Sequence, residues 1–326
     1  MLGIDVSKQH LTCALLDGAS QRLLWEATVP NSPAGVAQLL QRTPAPVAWV
    51  LEPTGRYSAS VARQAQQAGR RVLLAVPHRA HHFLQSLPHR AKTDRLDSRG
   101  LGLYALSVAL PSYPLPSPAV ERLQQLLTVR KTLAQDLARY QQQCQELPLA
   151  QELLAPVIQA TQAQIKQLDR QIAACQSDFP LMARLQQVPG IGPVTAARVA
   201  ARLAASEFTH SDQFVAFIGL DIRVRQSGQR KGHQGLTKQG DAELRRLFYL
   251  CAQATLRAKE SPFVAQYERE QQKGLSKTAA LCAVARKLAR LCWSLARHGS
   301  DYDSTRVYRD SRLPSRQETD GPTDTA

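Results

Sequence analysis

Four carboxylates occupy positions that suggest metal-assisted chemistry on phosphate. Asp5 interrupts the apolar start GIDV, Glu52 ends the run VAWVLEP, and Asp94 and Asp97 lie three residues apart in KTDRLDS. A carboxylate inside a buried strand is costly, and converging carboxylates repel one another unless a cation lies between them. Mg²⁺ prefers oxygen ligands, and two such ions can stabilise the attacking and leaving oxygens of a phosphodiester. The set therefore predicts a Mg²⁺ site for phosphodiester cleavage.

Each acid also has a simpler interpretation. Asp94 and Asp97 are typical of a solvated pair at the start of a helix, and Glu52, before a proline, could cap the following turn. Asp5 is the hardest to explain without a partner, because nothing polar flanks it within its strand. The specificity of the prediction lies in the set of four and its spacing.

The elements around these acids predict an α/β domain over residues 1–112. Strand character is expected over 3–15, a second or third strand after the DGAS turn, the fourth strand at 47–53 and another strand at 71–77. Helices are expected at 32–42 and from Thr54 to Gly69. This order fits a mixed, ribonuclease-H-like sheet, in which the first and fourth strands are neighbours and a later helix crosses their ends. A dinucleotide-binding fold is disfavoured because no G-x-G-x-x-G follows the first strand. An actin-like sugar-kinase fold is also disfavoured, because the sequence lacks the glycine-rich phosphate loops that this fold needs.

A helical segment is predicted over residues 113–178. The proline-rich PSYPLPSP precedes a Ser117 cap, and apolar residues then recur at three-four spacing from Leu123 to Leu147 and from Leu154 to Cys175, with Arg130 at a skipped position. The pattern fits either a helical hairpin within one chain or a coiled coil that joins subunits.

A second, helical domain is expected over residues 179–298. Its VPGIGP segment resembles a helix-hairpin-helix element, in which Gly190 and Gly192 permit a tight turn and the next helix points backbone N–H groups at a phosphate. A plain helix–helix turn is the alternative. The polar end at 299–326 is expected to be disordered.

Composition indicates a polyanionic partner. Lys and Arg number 41 against 26 Asp and Glu, a formal charge of +15, so nucleic acid is the first choice. No signal peptide or run of about 18 apolar residues is present, which favours the cytoplasm and no membrane association. Six scattered cysteines without a C-x-x-C pair are expected to be small buried hydrophobes. The histidines of PHRAHHF lack further metal ligands and are expected in a basic loop.

Several motifs, in order, resemble the DEDD transposases of bacterial insertion sequences, relatives of the pilin-gene invertase. GIDVSK, LEPTGRY and KTDRLDSRGL are similar to the three blocks of the catalytic domain. VPGIGPVTA, FVAFIGL, RQSG and TKQGDAELRRLFY are similar to the C-terminal transposase domain. The resemblance spans roughly residues 2–296, with a helical insert between the two domains.

The resemblance implies a RuvC-like domain whose DEDD site is Asp5, Glu52, Asp94 and Asp97. It also implies that Ser227 becomes covalently attached to DNA, and that a structured bridge RNA pairs with donor and target DNA. Dimers would assemble into tetramers with composite active sites. Basic residues near Ser227 that could neutralise phosphate charge are Arg223, Arg225, Arg230, Lys231 and Lys238.

The leading interpretation is therefore a transposase or site-specific recombinase that exchanges DNA strands through a phosphoserine intermediate. A RuvC-like junction endonuclease would use the same carboxylates with water as the nucleophile, and Ser227 would be dispensable. A nucleic-acid-binding protein without catalysis is the third possibility, and the intact set of four acids argues against it.

Overall fold

The computed structural model describes residues 1–86, 93–223, 226–227, 230–231, 235–258 and 261–307. Contacts divide the chain into two compact units, Met1–Leu115 and Pro116–Ala326. The division lies three residues after the boundary predicted at residue 112. Within the described ranges, no helix combines the length and the apolar character that crossing a bilayer requires.

A mixed sheet forms the centre of the first unit. Its strands are β1 (Leu2–Val6), β2 (His10–Leu16), β3 (Leu23–Pro30), β4 (Trp49–Leu51) and β5 (Val72–Leu74). The spatial order is β3-β2-β1-β4-β5, antiparallel from β3 to β1 and parallel from β1 to β5. This confirms the predicted mixed α/β sheet with β1 beside β4. Residues 3–15, which were expected to have strand character, form the hairpin of β1 and β2, and it turns at residues 7–9.

Helices cover both faces of this sheet. The helices are α1 (Pro33–Arg42), α2 (Arg56–Gln67), α3 (Pro77–Ser86) and α4 (Asp94–Ser107). Apolar residues of α1 and α2 pack with Leu2 and Ile4 on one face, whereas those of α3 and α4 pack with Val50 on the other. Ser32 caps α1 ahead of Pro33, as the sequence indicated.

We expected the basic segment PHRAHHF to be a loop, but it forms most of the helix α3. Pro77 occupies the first turn, where its missing N–H costs nothing, and Ala80 is buried on the sheet side. His78, His81 and His82 are exposed. An apolar anchor at one helix face is therefore enough to order a segment that is mostly basic and solvated.

Over its described residues, the second unit is helical apart from one short β-hairpin. Its helices are α5 (Pro118–Glu146), α6 (Pro148–Ala174), α7 (Leu181–Gln186), α8 (Pro193–Ala205), α9 (Ser211–Ile218), α10 (Ala242–Thr255), α11 (Pro262–Gln272), α12 (Lys277–His298) and α13 (Ser304–Val307). The hairpin consists of β6 (Gln226–Ser227) and β7 (Arg230–Lys231). Apolar residues of α8, α9, α10 and α12 form the largest core of this unit.

The long helices α5 and α6 pack against each other as a hairpin within one chain. Arg130, the skipped position of the apolar pattern, forms an ion pair of 2.6 Å with Asp169 of the facing helix. The buried apolar residues of the hairpin lie at its base, where Leu123 and Ile172 share a core with α7 and α8. The helical segment 113–178 therefore shares a core with the transposase-like domain that follows it.

The tip of the hairpin is apolar and open to solvent. Leu147 is 57% exposed, Leu149 80% and Leu153 74%. We refer to Leu147, Leu149, Leu153 and Val157 as the tip patch. Intrachain pairing thus accounts for the base of the apolar pattern and leaves the residues near the turn without a partner among those described.

The ordered part of the second unit extends beyond the boundary expected at residue 299. Gly299 ends α12 in the left-handed region at φ 62°, and residues 304–307 form α13. Val307 is buried in the main core and Tyr302 packs against it. The start of the predicted disordered tail therefore moves past Val307, and the remainder of that prediction, 308–326, lies outside the described residues.

All six cysteines are free thiols. Cys13, Cys175, Cys251 and Cys292 are buried, and Cys144 and Cys282 are half-buried. This agrees with their expected role as small apolar side chains. Burial raises the pKa of the Cys13 thiol to about 12, so that this residue is a neutral group beneath the sheet surface near Asp5.

Candidate active site

Asp5 and Glu52 lie side by side at the carboxyl ends of two neighbouring strands. β1 and β4 run parallel with Ile4 opposite Leu51, and Asp5 and Glu52 are the next residue of each chain segment. Both side chains are half-buried. The pair predicted from sequence is therefore adjacent because the first and fourth strands are neighbours.

The two acids point to the face of the sheet that α4 covers. Gly3 and Val50 are opposite each other in the same register, two residues before Asp5 and Glu52, and side chains two apart share a face. Val50 packs with Leu101 of α4. A Cβ atom on Gly3 would lie 2.7 Å from the Gly102 nitrogen of α4, and closer still to the Ser98 carbonyl oxygen.

The direction of α4 brings its two acids to the same edge. Gly102 lies over Gly3 and Leu16 at the amino end of β1, while Ser98 lies over Gly3. Asp94 comes four residues before Ser98, about 6 Å further along the helix, toward the carboxyl end of β1 where Asp5 lies. Asp97 immediately precedes Ser98 in the same turn. The first turn of α4 thus approaches the ends of β1 and β4.

The start of α4 is fixed by a local cap. The Thr93 side chain accepts a hydrogen bond of 3.3 Å from the Leu96 N–H, and the Asp97 N–H donates to the Thr93 carbonyl at 2.9 Å. Acids in the first turn also interact favourably with the helix dipole. Asp94 is exposed and Asp97 is half-buried, so both remain accessible to a ligand.

The acids share an edge without forming a closed metal cage. Among the described residues, no group of three or more His, Cys, Asp or Glu side chains is spaced to hold a metal ion. The oxygen donors match the chemistry of Mg²⁺, and their elements converge from β1, β4 and α4. A closed coordination sphere would require the α4 carboxylates to approach the strand carboxylates more closely.

Two residues that the sequence analysis missed shape this edge. Gly3 allows α4 to contact the backbone of β1, and Thr12, buried opposite Asp5 on β2, faces the same side of the sheet. The spacing G-x-D places the glycine and the acid on one face, and this was a signal available in the sequence. That Thr12 lies opposite Asp5 depends on the register of the β1–β2 hairpin, and no signal in the sequence indicated that register.

Histidines lie near this edge on α3, which follows the carboxyl end of β5. The Nε2 atoms of His78 and His82 are 3.2 Å apart, and both side chains are exposed. They belong to no three-residue group suited to a metal within the described ranges. Together with Arg79 they give the helix an exposed basic surface.

Ser227 lies near the end of the short hairpin in the second unit. Its backbone pairs with Arg230, and Gln226 pairs with Lys231. Residues 228–229, which connect the two strands, are outside the described residues, as is Arg225. The backbone register brings Ser227 together with two of the five predicted basic residues.

The base of this hairpin is held by many contacts. Ile222 forms a bridge with Leu236, and the Arg223 N–H donates to the Gly235 carbonyl at 2.8 Å. The Thr237 N–H donates to the Asp221 carbonyl at 3.0 Å, and the Thr237 hydroxyl also donates to the Asp221 carboxylate. The two arms are thus joined where they leave the helical core.

Glycines and a strained residue join this base to α9 and α10. Gly219 ends α9 at φ 74°, and a Cβ atom on Gly240 would lie 2.8 Å from the Gly219 nitrogen. Lys238 adopts φ 55°, which is unusual for a residue with a side chain. Asp241 then caps α10. Lys238 therefore has a structural position at the base of the hairpin, and Arg223 is exposed nearby.

Gly190 and Gly192 differ in their roles. Gly190 has φ 85°, and a Cβ atom there would lie 2.7 Å from the Cys251 carbonyl oxygen and from Thr255, so the residue is required by packing. Gly192 is exposed and precedes Pro193 at the start of α8, and a Cβ atom there would meet nothing within 4 Å. Of the two glycines, Gly192 is the one placed at an open helix end that a phosphate could approach.

Two family models match the chain. One, for a DEDD transposase of the IS110 group, matches residues 2–149, and the other, described as Transposase IS116/IS110/IS902 family, matches residues 182–268. The chain belongs to the IS110 family of DEDD transposases. The first match includes all four acids of this IS110-family chain, and the second includes Ser227.

Curated relatives agree with this membership. The pilin gene-inverting protein of Moraxella bovis is 25% identical over 263 residues, which cover 78% of this chain and 81% of the relative. The transposase for insertion sequence element IS1328 of Yersinia enterocolitica is 31% identical over 140 residues, 42% of each chain. A probable family 20 transposase of Pseudomonas aeruginosa is 32% identical over 141 residues, again 42% of each. The IS110-family chain thus matches less than half the length of the latter two.

One solved structure also aligns with the IS110-family chain. It is T. thermophilus RuvC in complex with Holliday junction substrate, 19% identical, covering 35% of this chain and 99% of that chain at a TM-score of 0.28. A likeness of this degree does not by itself establish a shared fold.

Proposed function

We propose that this IS110-family protein is a recombinase that cuts and rejoins DNA strands of an insertion sequence. The observation that supports this most is the placement of Asp5 and Glu52 side by side on the α4 face, with Asp94 and Asp97 in the first turn of the helix that crosses them. An edge with four acids from three elements is costly to maintain without a cation, so it favours a catalytic purpose.

Asp5 and Glu52 would hold Mg²⁺ with help from Asp94 and Asp97. When bound, the ion would lower the charge on the phosphate and stabilise the attacking and leaving oxygens. The side chains would then act as ligands whose own repulsion is relieved. The half-buried position of Asp5 and Glu52 excludes part of the competing water, which strengthens electrostatic interactions.

Ser227 is our proposed nucleophile. Its Oγ would attack phosphorus and form a phosphoserine ester, the bond from phosphorus to one strand oxygen would break, and that oxygen would leave as a free hydroxyl end after gaining a proton. Rejoining would reverse these steps with a hydroxyl from another strand. Arg230 and Lys231, on the facing strand of the hairpin, support this assignment because they would offset phosphate charge near the serine.

The partners follow from charge and from family membership. A formal charge of +15 supports binding to nucleic acid, and we propose donor DNA, target DNA and a structured guide RNA as its partners. We also propose that the tip patch of α5 and α6 joins two copies of the chain, because monomers rarely leave several adjacent large apolar side chains this exposed. Pairs of such dimers would form the tetramer.

The test compares Asp5→Asn with Glu26→Gln. Each removes one negative charge from the same sheet, but Glu26 is exposed on the edge strand β3. Protein purified with its associated RNA is mixed with labelled DNA that contains the ends of the element, with Mg²⁺ or with EDTA. We expect Mg²⁺-dependent cleavage in the wild type and in Glu26→Gln, and none in Asp5→Asn.

The chemistry of the cut ends separates recombination from simple hydrolysis. Labelled DNA that stays attached to protein on a denaturing gel supports the serine mechanism. Free 5′-phosphate and 3′-hydroxyl ends without an adduct would mean that water is the nucleophile, and the protein would be an endonuclease. Wild-type cleavage by Asp5→Asn would remove the basis for the whole assignment.

A further inference from the structure

A cavity of about 190 Å³ lies within the second unit, between α5, α8 and the start of α10. Its lining residues are Gln124, Leu127, Thr128, Arg198, Ala201, Arg202 and Asp241. The cavity has room for several water molecules, and its lining is largely polar. The cavity belongs neither to the carboxylate edge nor to the Ser227 hairpin.

Arg198 is the unusual residue of this cavity. The guanidinium is half-buried, and one terminal nitrogen donates to the Leu127 carbonyl at 3.3 Å. Its Nε is buried and has no hydrogen-bond partner in the part of the chain that the structure describes. Burial lowers the pKa of Arg198, and the attraction of Glu243 and Asp241 does not cancel that effect. A half-buried cation with one neutral acceptor is expensive to hold.

The nearby carboxylates are already engaged by other cations. Glu243 accepts hydrogen bonds from Lys131 at 3.0 Å and Arg246 at 2.9 Å. Asp241 pairs with Arg202 at 3.3 Å. Asp241 also accepts the N–H groups of the first turn of α10.

The local charge is therefore positive. Four cations, Lys131, Arg198, Arg202 and Arg246, face two carboxylates, which leaves an excess of two positive charges around the cavity. Asp241, the carboxylate among the lining residues, is paired with Arg202 and accepts N–H groups of α10. Its charge is therefore already compensated and does not neutralise Arg198. An anion is the ligand that would complete this arrangement.

We propose that this cavity binds a phosphate group through Arg198, with Arg202 and the Gln124 amide as further donors. The planar guanidinium offers parallel N–H donors that match two phosphate oxygens, and such charge-assisted bonds are about twice as strong as neutral ones. The phosphate is either a phosphodiester of a bound nucleic-acid strand or a free phosphate ion. The inference does not depend on strand cleavage, because it concerns binding alone.

The experiment measures inorganic phosphate binding by calorimetry at constant ionic strength, with chloride as the compensating ion. It compares the wild type with Arg198→Gln and with Arg170→Gln, which removes the same charge from an exposed position on α6. We expect Arg198→Gln to weaken phosphate binding about tenfold or more, and Arg170→Gln to leave it unchanged. Equal phosphate affinity in Arg198→Gln and the wild type would overturn the proposal.

A second variant guards against misfolding. Arg198→Lys keeps the charge and loses the planar fork, so it should also weaken phosphate binding severalfold if the geometry matters. If circular dichroism shows that Arg198→Gln is unfolded, Arg198→Lys decides the matter: weakened binding supports the proposal, and unchanged binding overturns it.

The salt dependence of nucleic-acid binding distinguishes a phosphodiester of a bound strand from a free phosphate ion. The dependence of log K on log salt is measured for duplex DNA and for single-stranded RNA. If a strand supplies the phosphate, Arg198→Gln lowers the slope by about 0.9 on the duplex or about 0.7 on the single strand. If phosphate binding is lost while both slopes stay as in the wild type, the ligand is the free ion.

Discussion

Replacing Gly3 with alanine tests the contact between α4 and β1 that brings Asp94 and Asp97 to the edge of the sheet. The new Cβ atom would lie 2.7 Å from the Gly102 nitrogen, against about 3.4 Å for an ordinary contact, and nearer still to the Ser98 carbonyl oxygen. The opposing atoms are backbone, so no side-chain rotation relieves the clash. The Gly102 contact alone requires the helix to move by about 0.7 Å, and the nearer Ser98 oxygen requires a larger movement.

Both stability and cleavage should suffer. Overpacking of this kind costs about 1–3 kcal/mol, and we expect the upper part of that range. A misplacement of about 1 Å at a catalytic group can lower a rate roughly 100-fold, so DNA cleavage should fall by about that factor even where the protein is folded. Gly18→Ala is the matched control, because a Cβ atom there would meet nothing within 4 Å.

The assay is urea unfolding followed by tryptophan fluorescence in a Trp293→Phe background, which leaves only the two tryptophans of the first unit's sheet, Trp25 in β3 and the buried Trp49 in β4 next to β1. DNA cleavage is measured without urea, at a temperature at which each variant is folded. If Gly3→Ala unfolds within about 0.5 kcal/mol of the wild type and cleaves at the same rate, the described contact is wrong. The placement of Asp94 and Asp97 near Asp5 would then fall with it.

Three further results are expected. Ser227→Ala should lose the covalent DNA adduct on a denaturing gel while retaining DNA binding, because the basic residues supply the electrostatic part of the affinity. Leu149→Glu with Leu153→Glu should shift the mass measured by light scattering toward the monomer, since both side chains are exposed and their loss leaves the fold intact. For Glu243, burial raises the pKa, but hydrogen bonds from Arg246 and Lys131 outweigh it and hold the pKa at about 2. Its contribution to stability is therefore full above pH 4.5 and lost as the pH falls toward 2, so Glu243→Gln should flatten unfolding curves measured across that window.

A different result would contradict each of these three predictions. An adduct mapped by mass spectrometry to a residue other than Ser227 would reassign the nucleophile. A mass in Leu149→Glu with Leu153→Glu that equals that of Ala163→Glu, an exposed control on the same helix, would mean that the tip patch does not join subunits. A Glu243→Gln protein with the wild-type pH dependence would show that the hydrogen bonds to Lys131 and Arg246 have no effect on that acid in solution.

Signals that lie close together in the sequence predicted structure well. Serine before proline marks the first turns of α1 and α5, and the structure has Ser32 and Ser117 as caps of those helices. The alternation of strands and helices indicated a mixed sheet with the first and fourth strands adjacent, and Ile4 indeed lies opposite Leu51. The caps follow from local backbone preferences, and the strand order follows from a succession of strands and helices that is compatible with few sheet topologies.

Features that depend on contacts between distant residues could not be predicted. The approach of α4 to Gly3 joins positions about a hundred residues apart, and nothing near Gly3 in the sequence indicates which helix will cover it. The back-to-back packing of Gly219 and Gly240 is of the same kind. In α3, the basic side chains suggested a loop although Pro77 and Ala80 were available as signals of a helix start and a buried face.

The seam between α4 and β1 has a mechanical consequence. Gly3 and Gly102 have no side chains, so at this seam α4 contacts β1 through backbone atoms, and the contact could act as a pivot for the helix. Asp94 precedes Gly102 by eight residues, about 12 Å along the helix, so a tilt of roughly 10° about that contact would move it by about 2 Å, close to the length of one bond from oxygen to Mg²⁺. A small tilt of this one helix would thus change the spacing of the acids by a whole coordination distance, while the apolar layer formed by α1 and α2 on the opposite face keeps its packing.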